Sequence, residues 1–127
     1  MPSPLKIMIV DDATSMRNLL KAALLNAGFE EFVEADNGQQ ALNLLRQEKV
    51  HLVICDLDMP KVDGMTVLQA MRNDAALKGI PFIMVSAISS ADKVIQVIEE
   101  GVNDYIIKPI KPESFVRRVK DVLKEKN

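Results

Sequence analysis

The feature that most constrains this chain is a set of four short apolar runs that do not alternate: Lys6 to Val10, Leu52 to Cys55, Phe82 to Val85 and Tyr105 to Ile107. Successive side chains of a strand point to opposite faces, so a half-exposed strand alternates apolar and polar residues. Near-continuous apolar runs instead describe strands buried on both faces, as in a parallel sheet covered by helices. A weaker run, Phe32 to Ala35, falls between the first two.

Segments of helical period separate the runs. Met16, Leu19, Leu20, Ala23, Leu24 and Ala27 form one stripe, which Gly28 stops. Asn37 can cap a second helix, with Gln40 three residues on and Ala41, Leu42 and Leu45 facing inward. A third helix follows Asp63-Gly64 and buries Met65, Leu68 and Met71. Ser89 or Ser90 opens a fourth, which is expected to bury Val94, Ile95 and Ile98 and to end at Gly101. Pro112 suits the first turn of a fifth, with Phe115, Val116, Val119, Val122 and Leu123 as its inner stripe.

Strand and helix alternate five times. That order implies a parallel sheet with right-handed crossovers and helices on both faces. The expected fold is α/β, a three-layer α/β/α sandwich. Five units favour the flavodoxin-like strand order 2-1-3-4-5 over a closed eight-stranded barrel. All 127 residues suit a single domain, 1–127, with a core from about residue 5 to residue 124 and frayed ends at Met1–Pro4 and Lys124–Asn127.

Composition removes several classes of function. With 48% hydrophobic residues the chain can bury a core, and a formal net charge of −2 lacks the basic footprint of a nucleic-acid binder. No apolar run approaches the length needed to cross a bilayer, and no secretory leader is visible. The single cysteine excludes an intrachain disulfide. A cytoplasmic monomer is the expectation.

The polar residues fall where the strands run out. The first strand ends in Asp11-Asp12, the third in Asp56 followed by Asp58, the fourth in Ser86 and the fifth in Lys108-Pro109. In a parallel sheet these ends share one edge, and ligands bind where the strand order reverses. Asp11, Asp12 and Asp56 against Lys108 leave two surplus negative charges. Each close like-charge pair costs about 1–4 kcal/mol. The cluster calls for a divalent cation, and oxygen ligands without a His or Cys cluster point to Mg²⁺, with Mn²⁺ as a substitute. A metal beside a carboxylate and a lysine is an arrangement for phosphoryl transfer. Asp56 would attack phosphorus and form an acyl phosphate, and Ser86 could hydrogen-bond a phosphoryl oxygen.

These residues resemble those of the response-regulator receiver domains, and among them the single-domain chemotaxis regulators of the CheY type. The resemblance covers essentially the whole chain. It rests on Ile9-Val10-Asp11-Asp12, Met16-Arg17, Glu34-Ala35-Asp36-Asn37-Gly38, Asp56-x-Asp58-Met59-Pro60, Asp63-Gly64, Ser86-Ala87, and Gly101-Val102-Asn103-Asp104-Tyr105 through Lys108-Pro109. It implies that Asp56 takes phosphate from a histidine kinase. Asp11, Asp12, Asp56 and the backbone carbonyl of Asp58 would hold Mg²⁺. Lys108 would contact the phosphoryl group, next to a cis peptide at Pro109. Ser86 and Tyr105 would form a switch that alters the face made by the fourth helix, fifth strand and fifth helix. A target in trans, such as a flagellar motor switch, would read that face, and a phosphatase is a further partner.

Four positions depart from the enterobacterial chemotaxis regulator: Ala13, Leu57, Asp58 and Ile88 stand where it has an aromatic, tryptophan, asparagine and glutamate. Asp58 and Ile88 flank the route of an attacking water, so an apolar Ile88 is expected to lengthen the phosphorylated lifetime. The departures leave a phosphate sink or a phosphorelay intermediate as alternatives to a motor target. Asp56-Leu57-Asp58 also echoes the D-x-D of haloacid-dehalogenase-type phosphatases, but those carry it on the first strand. A flavin carrier would need a glycine- and hydroxyl-rich loop where this chain has two acids.

Other residues have plainer roles. Asp63-Gly64 is turn and cap chemistry. Cys55 should point away from Asp56 and serve as packing. His51 has no second histidine to share a metal. Lys111, Arg117, Arg118, Lys120 and Lys124 are expected on the solvated face of the last helix.

Overall fold

Strands β1 (Lys6–Val10), β2 (Glu31–Ala35), β3 (Leu52–Asp56), β4 (Phe82–Ser86) and β5 (Asp104–Ile107) pair in parallel, in the order β2-β1-β3-β4-β5, in a computed structural model that describes residues 4–126. Helices α1 (Thr14–Asn26), α2 (Gly38–Gln47), α3 (Gly64–Arg72), α4 (Ala91–Glu99) and α5 (Pro112–Lys126) connect or follow them. Every residue of β3 and β4 is buried, which is why those segments read as unbroken apolar runs.

The sheet divides the core in two. Ile7, Ile9, Ile54 and Ile83 face α1 and α5, where they meet Leu20, Leu24, Phe115 and Val119. Met8, Val10, Cys55 and Met84 face the other helices, against Ala41, Leu45, Leu68 and Val97. Side chains of β1 thus alternate between two covered faces.

Register brings the functional ends level. Val10 pairs with Cys55, so Asp11 leaves β1 beside Asp56. Asp56 pairs with Val85, and Ser86 pairs with Ile107. Asp11, Asp56, Ser86 and Lys108 therefore emerge within about one residue of the same line.

The caps follow local chemistry. Asn37 accepts the Gln40 N–H at 2.9 Å, and Gln40 reaches back to the N–H of Asp36, one residue earlier than a capping box requires. Asp63 accepts both the N–H and the hydroxyl of Thr66. Gly28 and Gly101 follow α1 and α4 with φ of +102° and +93°, the left-handed geometry that ends helices.

Two expectations fail. Leu19 is 42% exposed, while Leu20 and Leu24 carry the buried face of α1. In α4 the buried residue is Val97, and Ile95 and Ile98 are 53% and 55% exposed. The helix has two apolar stripes of helical spacing, and the sheet takes the one through Val94 and Val97. Helix α5 extends through Lys126; of the ends expected to fray, Met1–Ser3 and Asn127 lie outside the described residues.

Candidate functional site

Oxygens of Asp11, Asp12 and Asp56 lie within 4.8 Å of one another at the C-terminal edge of the sheet. Lys108 enters from the end of β5, its Nζ 3.2 Å from Asp11 Oδ2 and 3.5 Å from Asp56 Oδ2. Asp11 and Asp56 are buried and Asp12 is exposed, so the cluster opens to solvent on one side only.

Asp11 is held at every polar atom. Its N–H donates to Ala35 O at the end of β2, and Oδ1 accepts the Ala13 N–H at 2.9 Å. Its carbonyl accepts from Arg17 Nη1 at 2.6 Å. Asp56 is less settled. Burial pushes its carboxyl above the ordinary range; Asp11 adds to that shift, and Lys108 and the N–H of Asp58 oppose it without cancelling it. A buried carboxylate crowded by two others and facing one ammonium is short of positive charge. The donor set, all carboxylate, suits a hard divalent cation and not a soft one.

The predicted switch residues are linked through one residue, Ile88. Ser86 Oγ accepts the Ile88 N–H at 3.0 Å, which leaves the hydroxyl proton to donate elsewhere. Tyr105 Oη donates to the Ile88 carbonyl at 2.6 Å, with its ring buried against β4 and α4. Ile88 itself packs partly against the core, and Asp58 is exposed at the rim. The Lys108-Pro109 peptide is cis, as expected.

Beside Tyr105 lies an apolar surface. Ile95, Ile98 and Ile107 are all about half exposed, and a groove of about 400 Å³ runs between Val94, Ile98, Val102, Tyr105, Ile107 and Arg118. Arg118 is not part of the solvated basic face predicted for α5. Its guanidinium grips Asp104 at 2.8 and 2.6 Å and the Tyr105 carbonyl at 2.9 Å, fixing β5 to α5.

Two residues matter more than the sequence alone suggested. A Cβ on Gly64 would sit 2.3 Å from the Asp56 carbonyl oxygen, and the Gly64 N–H donates to Leu57 O. Gly64 thus lets α3 press against the backbone that carries Asp56. Arg17, from α1, reaches behind Asp11; only its place in a dipeptide motif marked it. Cys55 packs in the core as expected, where burial pushes its thiol well up on the far face from Asp56, and His51 Nδ1 accepts the Lys6 N–H.

Comparison with known proteins agrees with this arrangement. The profile of the response regulator receiver domain matches residues 7–120. The chain is 34% identical to the chemotaxis protein CheY of Pseudomonas aeruginosa, over 97% of this chain and 99% of that one. Among solved structures, a response regulator from Chloroflexus aurantiacus superposes with a TM-score of 0.90 at 33% identity, covering 96% of this chain and 99% of its own. The phosphorylated cyanobacterial phytochrome response regulator RcpA gives 0.83 at 30% identity, covering 94% and 91%. A match that spans the sheet, on a chain whose strand ends converge on an acid triad and a lysine, assigns it: the chain belongs to the response regulator receiver domain family.

Proposed function

We propose that the protein is a phosphoacceptor switch of a two-component system, and that Asp56 takes a phosphoryl group from a phosphohistidine of a histidine kinase. An Asp56 carboxylate oxygen forms the new P–O bond while the P–N bond breaks, and its electron pair returns to the imidazole of the kinase. The product is an acyl phosphate. The observation that carries this reading is Lys108 Nζ set between Asp11 and Asp56 beside three converging carboxylates.

Each residue has a task. Asp56 is the nucleophile and needs its carboxylate form, which Lys108 and the Asp58 N–H favour against burial. Lys108 neutralises a phosphoryl oxygen as charge moves. Ser86, with its own proton uncommitted, donates to another phosphoryl oxygen. Asp11, Asp12, Asp56 and the backbone carbonyl of Asp58 would hold Mg²⁺, or Mn²⁺ in its place. Such an ion, when bound, offsets the surplus negative charge of the acids and of the phosphoryl group.

The readout runs through Ile88. A move of the Ser86 hydroxyl toward the phosphoryl group draws on the N–H of the same residue whose carbonyl Tyr105 grips. The population of the groove beside Ile98 and Ile107 then changes. That half-exposed apolar face suits a protein target. Near-complete mutual coverage with a chemotaxis protein supports chemotaxis; within that proposal the target is a flagellar motor switch, a phosphatase is a further partner, and the protein acts as a cytoplasmic monomer. The apolar Ile88 supports the second reading, a long-lived phosphate sink or relay intermediate. The protein is not a turnover enzyme: it catalyses only its own phosphorylation and slow dephosphorylation, and p-nitrophenyl phosphate should be left essentially untouched.

The test is transfer from an autophosphorylated histidine kinase core. Label should reach the parent, fail to reach Asp56→Asn and reach Lys108→Met slowly. Equal labelling of Asp56→Asn would overturn the assignment. Pull-downs with and without beryllofluoride distinguish a motor target from a sink, and faster phosphate loss by Ile88→Glu tests the lifetime argument.

A further inference from the structure

Rest the acid triad on the metal reading above, and one residue outside the triad acquires a role: we infer that Arg17 is the positioning residue of the site, aiming the Asp11-Asp12 pair from behind. Its guanidinium makes three contacts. Nη1 donates to the Asp11 carbonyl at 2.6 Å, Nε to Glu34 Oε1 at 3.1 Å, and Nη2 to Thr14 Oγ1 at 3.3 Å. The side chain is only 15% exposed.

The contact with the Asp11 carbonyl fixes the peptide plane between Asp11 and Asp12. The side chain and N–H of Asp11 have other anchors, in Ala13, Lys108 and Ala35. Asp12 is exposed, and its carboxylate projects from that peptide. The plane that Arg17 holds therefore sets where the Asp12 carboxylate points relative to Asp11 and Asp56. Outer hydrogen bonds of this kind are what orient the ligands of a metal site.

Glu34 aims the guanidinium in turn. Burial raises the Glu34 carboxyl, but hydrogen bonds from Arg17 and Lys21 outweigh it and hold it below the usual range. Glu34 stands at the second-last position of β2 and Arg17 in the first turns of α1. A rigid strand thus fixes the fork, the fork fixes the peptide, and the peptide fixes the acid. Arginine suits the task because its planar fork can serve three acceptors at once, which an ammonium cannot do in the same geometry.

The charge of Arg17 makes the proposal testable by sign. Coulomb's law alone says that removing a cation near the acids tightens a divalent ion; loss of aim says that it loosens one. The measurement is Mn²⁺ affinity, by electron paramagnetic resonance or calorimetry, with thermal melts as a check on folding. Arg17→Met should raise the Kd about tenfold. Arg17→Lys keeps the charge and loses the fork, and should raise it about threefold. Arg72→Met serves as a structural control, since Arg72 bonds Gly101, Ile80 and Asn103 away from the site; its Kd should match the parent's even if it melts lower. A Kd for Arg17→Lys within twofold of the parent's, or one for Arg17→Met below the parent's, overturns the positioning role, and Arg17→Lys decides alone should Arg17→Met not fold. A parent that binds no Mn²⁺ overturns the metal reading beneath it, a separate and recognisable result.

Discussion

Asp56→Asn should make the metal-free protein more stable while ending its capacity to take phosphate. The substitution keeps shape and removes one charge. Asp56 loses its repulsion from Asp11 and Asp12, whose oxygens lie within 4.8 Å, and its attraction to Lys108 at 3.5 Å. With an effective dielectric between about 20 and 80, the two repulsions amount to about 2–7 kcal/mol and the attraction to about 1–5. The difference favours the variant by about 0.5–2 kcal/mol, and the exposure of Asp12 draws it toward the lower figure. For a domain of this size that is a rise in melting temperature of about 2–8 °C.

The assay is thermal unfolding by circular dichroism at pH 7.5 in EDTA and low salt. Added NaCl should narrow the gap, because the repulsion is partly screened. Added Mg²⁺ should narrow or reverse it, because an ion that binds only the folded parent stabilises it. The pH dependence has a definite sign. The folded carboxyl of Asp56 lies above its ordinary value, so the parent loses stability as pH rises through that folded value. The gap between variant and parent should therefore close as pH falls below the ordinary carboxylate range. If Asp56→Asn melts at or below the parent in EDTA at pH 7.5, the crowding argument is wrong.

Other substitutions check the packing. Ile95→Ser and Ile98→Ser should each change stability by under about 0.5 kcal/mol in chemical denaturation, because both side chains are half exposed, whereas Val97→Ala should cost about 2 kcal/mol. Gly64→Ala would place a methyl 2.3 Å from the Asp56 carbonyl oxygen, so it should cost about 2 kcal/mol or more and slow phosphorylation as the β3–α3 backbone shifts. A Gly64→Ala protein with parental melting temperature and phosphorylation rate would contradict that contact.

The sheet was legible because burial on both faces leaves no room for polar residues, so β1, β3 and β4 stand out as unbroken apolar runs. The site was legible for the same reason: Asp11, Asp56, Ser86 and Lys108 are the first polar groups after each run, and parallel register aligns them. What escaped was set by space and not by spacing. Val94, Ile95, Val97 and Ile98 offer two stripes, and only the docking of α4 chooses between them. Gly64 reads as a turn glycine until the Asp56 carbonyl is seen against it. Arg118 reads as a surface cation and Arg17 only as half of a dipeptide motif, yet each closes a polar network between neighbouring elements.

The most direct test of the central claim is intact mass after incubation with acetyl phosphate and Mg²⁺, beside a known receiver as control. The parent should gain the mass of one phosphoryl group, gain none when EDTA is present from the start, and show none in Asp56→Asn. An unmodified parent alongside a modified control, or a modified Asp56→Asn, would contradict the account.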